Sequence, residues 1–135
     1  MTAPFGAAHQ VPVQPQATAG SNLNTIAMVV PRDGTITAVT YTTVTAITGA
    51  NTNTRSVSLV NKGQAGAGTT VIATLQFNSG INTVAADEKA ITLSVTATDL
   101  VVVAGDVLQW QSTAVGTGIA DPGGLVCITA GAKYA

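Results

Sequence analysis

Ionic side chains are scarce in this chain. Charged residues make up 8% of its 135 positions, against roughly 25% in an average soluble domain. The net charge of -1 leaves no basic footprint, so neither nucleic acid nor an anionic membrane is expected as a partner. Long apolar runs are missing too. The longest, residues 26–30 and 100–104, fall far short of the roughly 18 residues that a membrane span needs. The first residues carry no basic stretch followed by an apolar one, so no signal peptide is expected. One cysteine, Cys127, excludes an internal disulfide framework. One cysteine with one histidine cannot make a structural zinc set either.

What fills the chain is small and neutral. Thr (22), Ala (22), Val (17) and Gly (14) together supply 75 residues. The apolar fraction of 46% and a mean hydropathy of +0.40 are far from the charge-rich, apolar-poor composition of a disordered chain. The length fits one domain able to bury a substantial core. A surface short of charge, with net charge near zero, tends to associate.

Residues 1–22 differ from the rest. They hold three of the five prolines (Pro4, Pro12 and Pro15) and no Asp, Glu, Lys or Arg. Proline fixes φ and removes a backbone donor, so Val11-Pro12-Val13-Gln14-Pro15 reads as an extended arm rather than a helix or central strand. Phe5, Val11 and Val13 are its apolar anchor candidates for a partner. His9 and Pro12 lie among them.

From Leu23 onward, in residues 23–135, the pattern is β. Ile91, Leu93, Val95 and Ala97 alternate with Thr92, Ser94, Thr96 and Thr98, a period of two. Val71, Ala73, Leu75 and Phe77 alternate with Ile72, Thr74 and Gln76. The stretch 35–48 is long, and its apolar phase shifts twice, which predicts a bulge or bend. Turn signals such as Pro31-Arg32-Asp33-Gly34, Asn61-Lys62-Gly63 and Asp121-Pro122-Gly123-Gly124 separate the runs. Strands are expected near 24–30, 35–47, 55–61, 70–77, 90–97, 99–103, 106–113 and 124–130. The one helix-like stretch, 84–89, has room for one or two turns. About eight short strands predict an all-β fold, an antiparallel β-sandwich of jelly-roll type with an extended N-terminal arm.

Catalytic groups are few. His9, the sole histidine, sits in the arm. Cys127 lies in an apolar strand and reads as a buried structural thiol. Of six carboxylates, four sit beside Gly or Pro or at a strand edge, where Asp shapes turns. A glycosidase would need two facing carboxylates and aromatic platforms, yet aromatics are 4%. The loop Lys62-Gly63-Gln64-Ala65-Gly66-Ala67-Gly68-Thr69-Thr70 lacks the Gly-Lys-Thr ending of a phosphate-binding loop. No enzyme activity and no cofactor are expected. Trp110 is read as core. Gln109 and Gln111 alternate with Leu108 and Trp110, so their strand has an amide face. That face reads as solvated, or as a subunit interface where neutral polar groups pair without desolvating ions.

The run Ala104-Gly105-Asp106-Val107-Leu108, then Gly116-Thr117-Gly118 and Asp121-Pro122-Gly123-Gly124-Leu125-Val126, resembles the C-terminal half of tailed-phage capsid decoration (cement) proteins. Pro31-Arg32-Asp33-Gly34-Thr35-Ile36 and Arg55-Ser56-Val57-Ser58-Leu59-Val60-Asn61-Lys62-Gly63 are similar to their N-terminal half. The resemblance spans roughly residues 23–130. It implies a homotrimer on the capsid exterior, assembled in the host cytoplasm, with the major capsid protein as partner. It further implies an N-terminal arm lying along the capsid. The alternative is a fibre-tip or adhesin-like module that recognises a glycan or receptor through the loops 63–68 and 116–124.

Overall fold

The computed structural model describes residues 8–132. Ten strands follow in chain order: β1 (Ala8–Val13), β2 (Leu23–Val29), β3 (Gly34–Thr43), β4 (Thr54–Asn61), β5 (Thr70–Gln76), β6 (Glu88–Ala90), β7 (Thr92–Leu93), β8 (Val101–Val102), β9 (Val107–Val115) and β10 (Gly124–Ala132). One sheet runs β1-β10-β3-β6, with β8 also on β3. The other runs β2-β9-β4-β5-β7. Every strand pairing is antiparallel. Of these pairings only β4 with β5 joins consecutive strands. The first strands pair with the last ones, β1 with β10 and β2 with β9, while the chain alternates between sheets. That connectivity is the nested Greek key of a jelly roll.

Period-two patterning accounts for the core. Ile36, Val39 and Tyr41 of β3 face inward with Val126 and Ile128 of β10. From the other sheet come Val57, Leu59, Leu108, Trp110 and Ile72. Trp110 is fully buried, as the sequence led us to expect. Its ring lies 5.3 Å from that of Tyr41, tilted by 58°. The predicted bulge is present in β3. Thr129 pairs with Ala38 and Ala130 with Ile36, so Thr37 is the extra residue. The bulge shifts the inward phase from Ile36 to Val39 and Tyr41.

Several expectations are corrected. The strand expected to reach residue 47 ends at Thr43. Beyond it Thr83 takes over, accepting from the Ile47 amide at 2.7 Å and sharing a hydroxyl bond with Thr43 at 2.8 Å. The stretch 84–89 forms no helix. Ala86 has φ 59°, and β6 begins at Glu88. The strand expected at 90–97 is two short strands in different sheets. Ile91, between them, is buried where the chain crosses the sandwich. The alternation runs on past Leu93 without a ladder, and Val95 is fully exposed. There Ser94 donates to Asp99 at 2.6 Å, and a 3-10 turn follows at Ala97–Leu100. The strand expected at 99–103 shrinks to Val101–Val102. Cys127 is half-buried. It sits on the outward side of β10, at odd parity to the buried Val126 and Ile128.

The largest correction concerns the N-terminal segment. Residues 8–13 are β1, the first strand of the jelly roll, paired with β10 from Ala8–Thr129 to Val13–Gly124. Val11 and Val13 belong to the core. β1 is an edge strand, where only alternate N–H groups face the partner, so Pro12 is tolerated. Beyond it Gln16 and Asp121 exchange backbone hydrogen bonds at 2.7 and 2.9 Å.

Candidate functional site

Arg55 is fully buried. It lies on β4 at the same parity as Val57 and Leu59, so the pleat points it inward. Each of its three guanidinium nitrogens has an acceptor, four of the five N–H groups being used. Nε donates to the Ile119 carbonyl at 2.5 Å, Nη1 to Ser112 Oγ at 3.0 Å, and Nη2 to the carbonyls of Ala19 and Ser21 at 3.0 and 2.9 Å. Ser112 in turn donates to Asp121 Oδ2 at 2.7 Å. Asp121 Oδ1 accepts from the Tyr41 hydroxyl at 2.6 Å and from the Gly123 amide at 3.0 Å. A chain Arg55–Ser112–Asp121–Tyr41 thus crosses between the sheets, with a serine hydroxyl joining cation to anion. Desolvation lowers the guanidinium from its ordinary value, while the charges of Asp121 and Tyr41 oppose that shift. Every member is buried and bonded to its own chain, so the cluster acts as a clamp. It ties residues 19–21 to β4 and the turn at 121–123 to β9 and β3.

Burial, then the charge of Asp121 and its hydrogen bond, push the Tyr41 hydroxyl far above the ordinary phenol value of 10.0. The Arg55 charge and the Gly123 amide oppose this only in part. Above pH 10.0 the unfolded chain loses the Tyr41 proton and the folded chain keeps it. The contribution of Tyr41 is therefore complete below that pH and falls as pH rises. We expect stability to drop by about 1.4 kcal/mol per pH unit through this one group. In Tyr41→Phe that slope should vanish. Urea midpoints of both proteins at about pH 8 and about pH 11 check it.

The six carboxylates all accept hydrogen bonds within the chain, four of them at the turns and strand edges that their sequence neighbours suggested. Asp33 accepts from the Ala104 amide, and Asp106 from the Val103 amide and the Asn61 side chain. Asp87 accepts from the Glu88 amide, Glu88 from the Thr40 hydroxyl, and Asp99 from Ser94. Asp121 sits in the clamp. Among the described residues no group of three or more His, Cys, Asp or Glu could hold a metal ion. The Gly-rich stretch after Lys62 is the β4–β5 hairpin loop, closed by a Gly68 amide bond to the Lys62 carbonyl. No helix among the described residues is long and apolar enough to cross a membrane.

The arm candidates are dispersed. Phe5 lies outside the described residues. His9 is exposed at the start of β1, and Pro12 is exposed on its outward side. Val11 and Val13 are spent on the core and are not available as anchors. Pro12, Val13 and Pro15 do line one wall of an open groove of roughly 600 Å³. Leu23, Asn24 and Thr25 form the other wall, between the edge strands β1 and β2.

Gln109 and Gln111 are brought together on the outward face of β9, where Gln111 Nε2 donates to Gln109 Oε1 at 2.8 Å. The strand registers extend this face. Gln109 is flanked by Ile26 and Val60, and Val60 by Val71. Gln111 is flanked by Asn24 and Ser58, and Ser58 by Thr74. Ser58 and Thr74 share a hydroxyl bond at 2.8 Å, and Gln76 donates to Thr54 at 2.9 Å. Ile26 and Val29 are 57% and 59% exposed. No outward position of β2, β9, β4 or β5 carries a charge. Sequence reasoning found the two glutamines. It missed their neighbours, because register between strands that lie far apart in the chain is not written in local pattern. It missed Arg55 too, although its parity with Val57 and Leu59 was a usable signal.

No family model, no curated protein and no solved structure matches this chain.

Proposed function

We propose that this protein is a structural component of a tailed-phage virion. It binds the outer surface of the capsid, in contact with the major capsid protein, and stabilises the shell as a homotrimer. The observation that carries the reading is the uncharged outward face of β2-β9-β4-β5 on a clamped jelly roll. Such a surface tolerates close neighbours, since no ion must be desolvated when it is covered. The motif resemblance to decoration proteins supplies the setting. Linking several copies in one oligomer converts weak contacts with a repetitive shell into avidity. A sugar-binding tip is supported less well. Trp110, Tyr41 and Phe77, three of the five aromatic residues, are fully buried. Capsid contact cannot run through Val11 or Val13. His9, Gln10 and Pro12 on β1, and Gln14 and Pro15 just after it, are exposed and open to a partner.

Capsids stripped of accessory proteins, mixed with the purified chain and pelleted, test this reading. The protein should co-pellet to a saturating, stoichiometric level, and the coated shells should withstand higher temperature. Absence of saturable binding, or shells no more stable than bare ones, would refute it.

A further inference from the structure

We propose that the outward face of β2-β9-β4-β5 is where a second copy of this chain docks. This deepens the trimeric reading above by placing the contact, and its test reads mass rather than capsid binding.

The face has two parts. At one end Ile26, Val29, Val107, Val60 and Val71 surround Gln109, paired in register as Val29–Val107 and Ile26–Gln109–Val60–Val71. Toward the other end lie Asn24, Gln111, Ser58, Thr74, Ser56 and Gln76, where Ser58 and Thr74 share a hydroxyl bond, Gln76 donates to Thr54 and Gln111 donates to Gln109. Val60 is buried yet stands outside the core cluster. In register it lies between Gln109 and Val71 on this outward face. Exposed aliphatics beside it cost free energy while they face water.

Charge matching identifies the occupant. A partner of ordinary composition, roughly one quarter charged, would place ions against a face with no counter-charge, and unpaired ions pay heavily for lost water. This chain has eleven charged residues in all. Three of them, Arg55, Asp106 and Asp121, are buried. Its own surface is therefore the partner whose chemistry fits. The edge points the same way. Among the described residues β2 pairs only with β9; its ladder is bulged at Ala27, but the outer rim, the seven-residue row Leu23–Val29, has neither proline nor charge. Edge strands of monomers are usually blunted by those residues. The sheet face measures roughly 450 Å² in projection, from strand spacing and rise, and side-chain relief adds to this. With the β2 rim it reaches the order of the 800 Å² per partner that stable contacts bury.

The test is sedimentation equilibrium on the full chain. Wild type should sediment at a multiple of 13.4 kDa. Ile26→Lys and Val29→Lys, each made at a side chain more than half exposed, should fold as before by circular dichroism and weaken association about a hundredfold or more. Thr37→Lys, on the exposed bulge of the opposite sheet, should leave the mass unchanged. A monomeric wild type, oligomers that survive both lysine variants, or dissociation by Thr37→Lys alone would each overturn the proposal. Pelleting with capsids separates the two readings. If Ile26→Lys monomers still bind shells, capsid binding stands without avidity. If wild-type oligomers bind none, the interface stands and the virion reading falls.

Discussion

Asp121→Ala should lower unfolding stability by about 3–5 kcal/mol, because it leaves a buried guanidinium without its counter-ion. The loss spreads along the cluster. The Ser112 and Tyr41 hydroxyls lose their acceptor, and the Gly123 amide loses the bond that shapes its turn. An unsatisfied buried group costs about 1–3 kcal/mol by itself. Folded domains hold only about 5–15 kcal/mol in reserve, so the variant should sit near its folding threshold. Asp121→Asn keeps an acceptor but not the charge and should fall between. Urea midpoints of the three proteins give the answer. Equal midpoints would mean that the Arg55–Asp121 pair does not hold the two sheets together.

Deleting residues 1–20 should abolish cooperative folding. On the sequence alone, residues 1–22 read as an arm on a sandwich that begins at Leu23, so this truncation is expected to abolish capsid binding and leave the domain folded. The structure reverses that expectation. The deletion takes away β1, leaving β10 with no partner on that side. It removes Val11 and Val13 from the core, each worth about 1.5–3 kcal/mol on burial. It also removes the Ala19 carbonyl that accepts from Arg55 and the Gln16 bridge to Asp121. Together these losses match the whole stability of an ordinary domain. Circular dichroism and thermal melting of the truncated chain are the check. A sharp, unshifted transition would show that β1 is dispensable.

The same segment shows where sequence reading succeeds and where it stops. Alternation located β2, β3, β4, β5, β9 and β10 to within a few residues, because the inward phase of a half-buried strand is a local property. It also signalled the bulge at Thr37. Proline density misled the reading of residues 8–13. Pro12 argues against a central strand, but an edge strand escapes that argument, and edge position is set by β10, more than 100 residues away. Alternation misled it again at 90–97, where Ile91 and Leu93 keep the rhythm across a change of sheet. The jelly-roll connectivity, in which the earliest strands pair with the latest, leaves no trace in any short window.

The site was legible in part. Gln109 and Gln111 announced an uncharged face through their alternation with Leu108 and Trp110. The extent of that face depends on which strands flank β9, a long-range matter. The clamp was hidden differently. Asp121 looked like a turn former and is one, through its bond to the Gly123 amide. Its second role depends on Arg55 and Tyr41 arriving from strands far off in sequence. Scarcity of charge, in turn, has a location. The outward sheet face carries none, and one of the few cations is used inside as a clamp.

Coating of a phage shell, as proposed above, requires this chain to be present in virions. Quantitative mass spectrometry of purified virions from a lysate containing the protein tests it most directly. The chain should be found in the particles, at a copy number comparable with that of the major capsid protein. Its absence from the particles, or a handful of copies per virion as at a fibre tip, would contradict it.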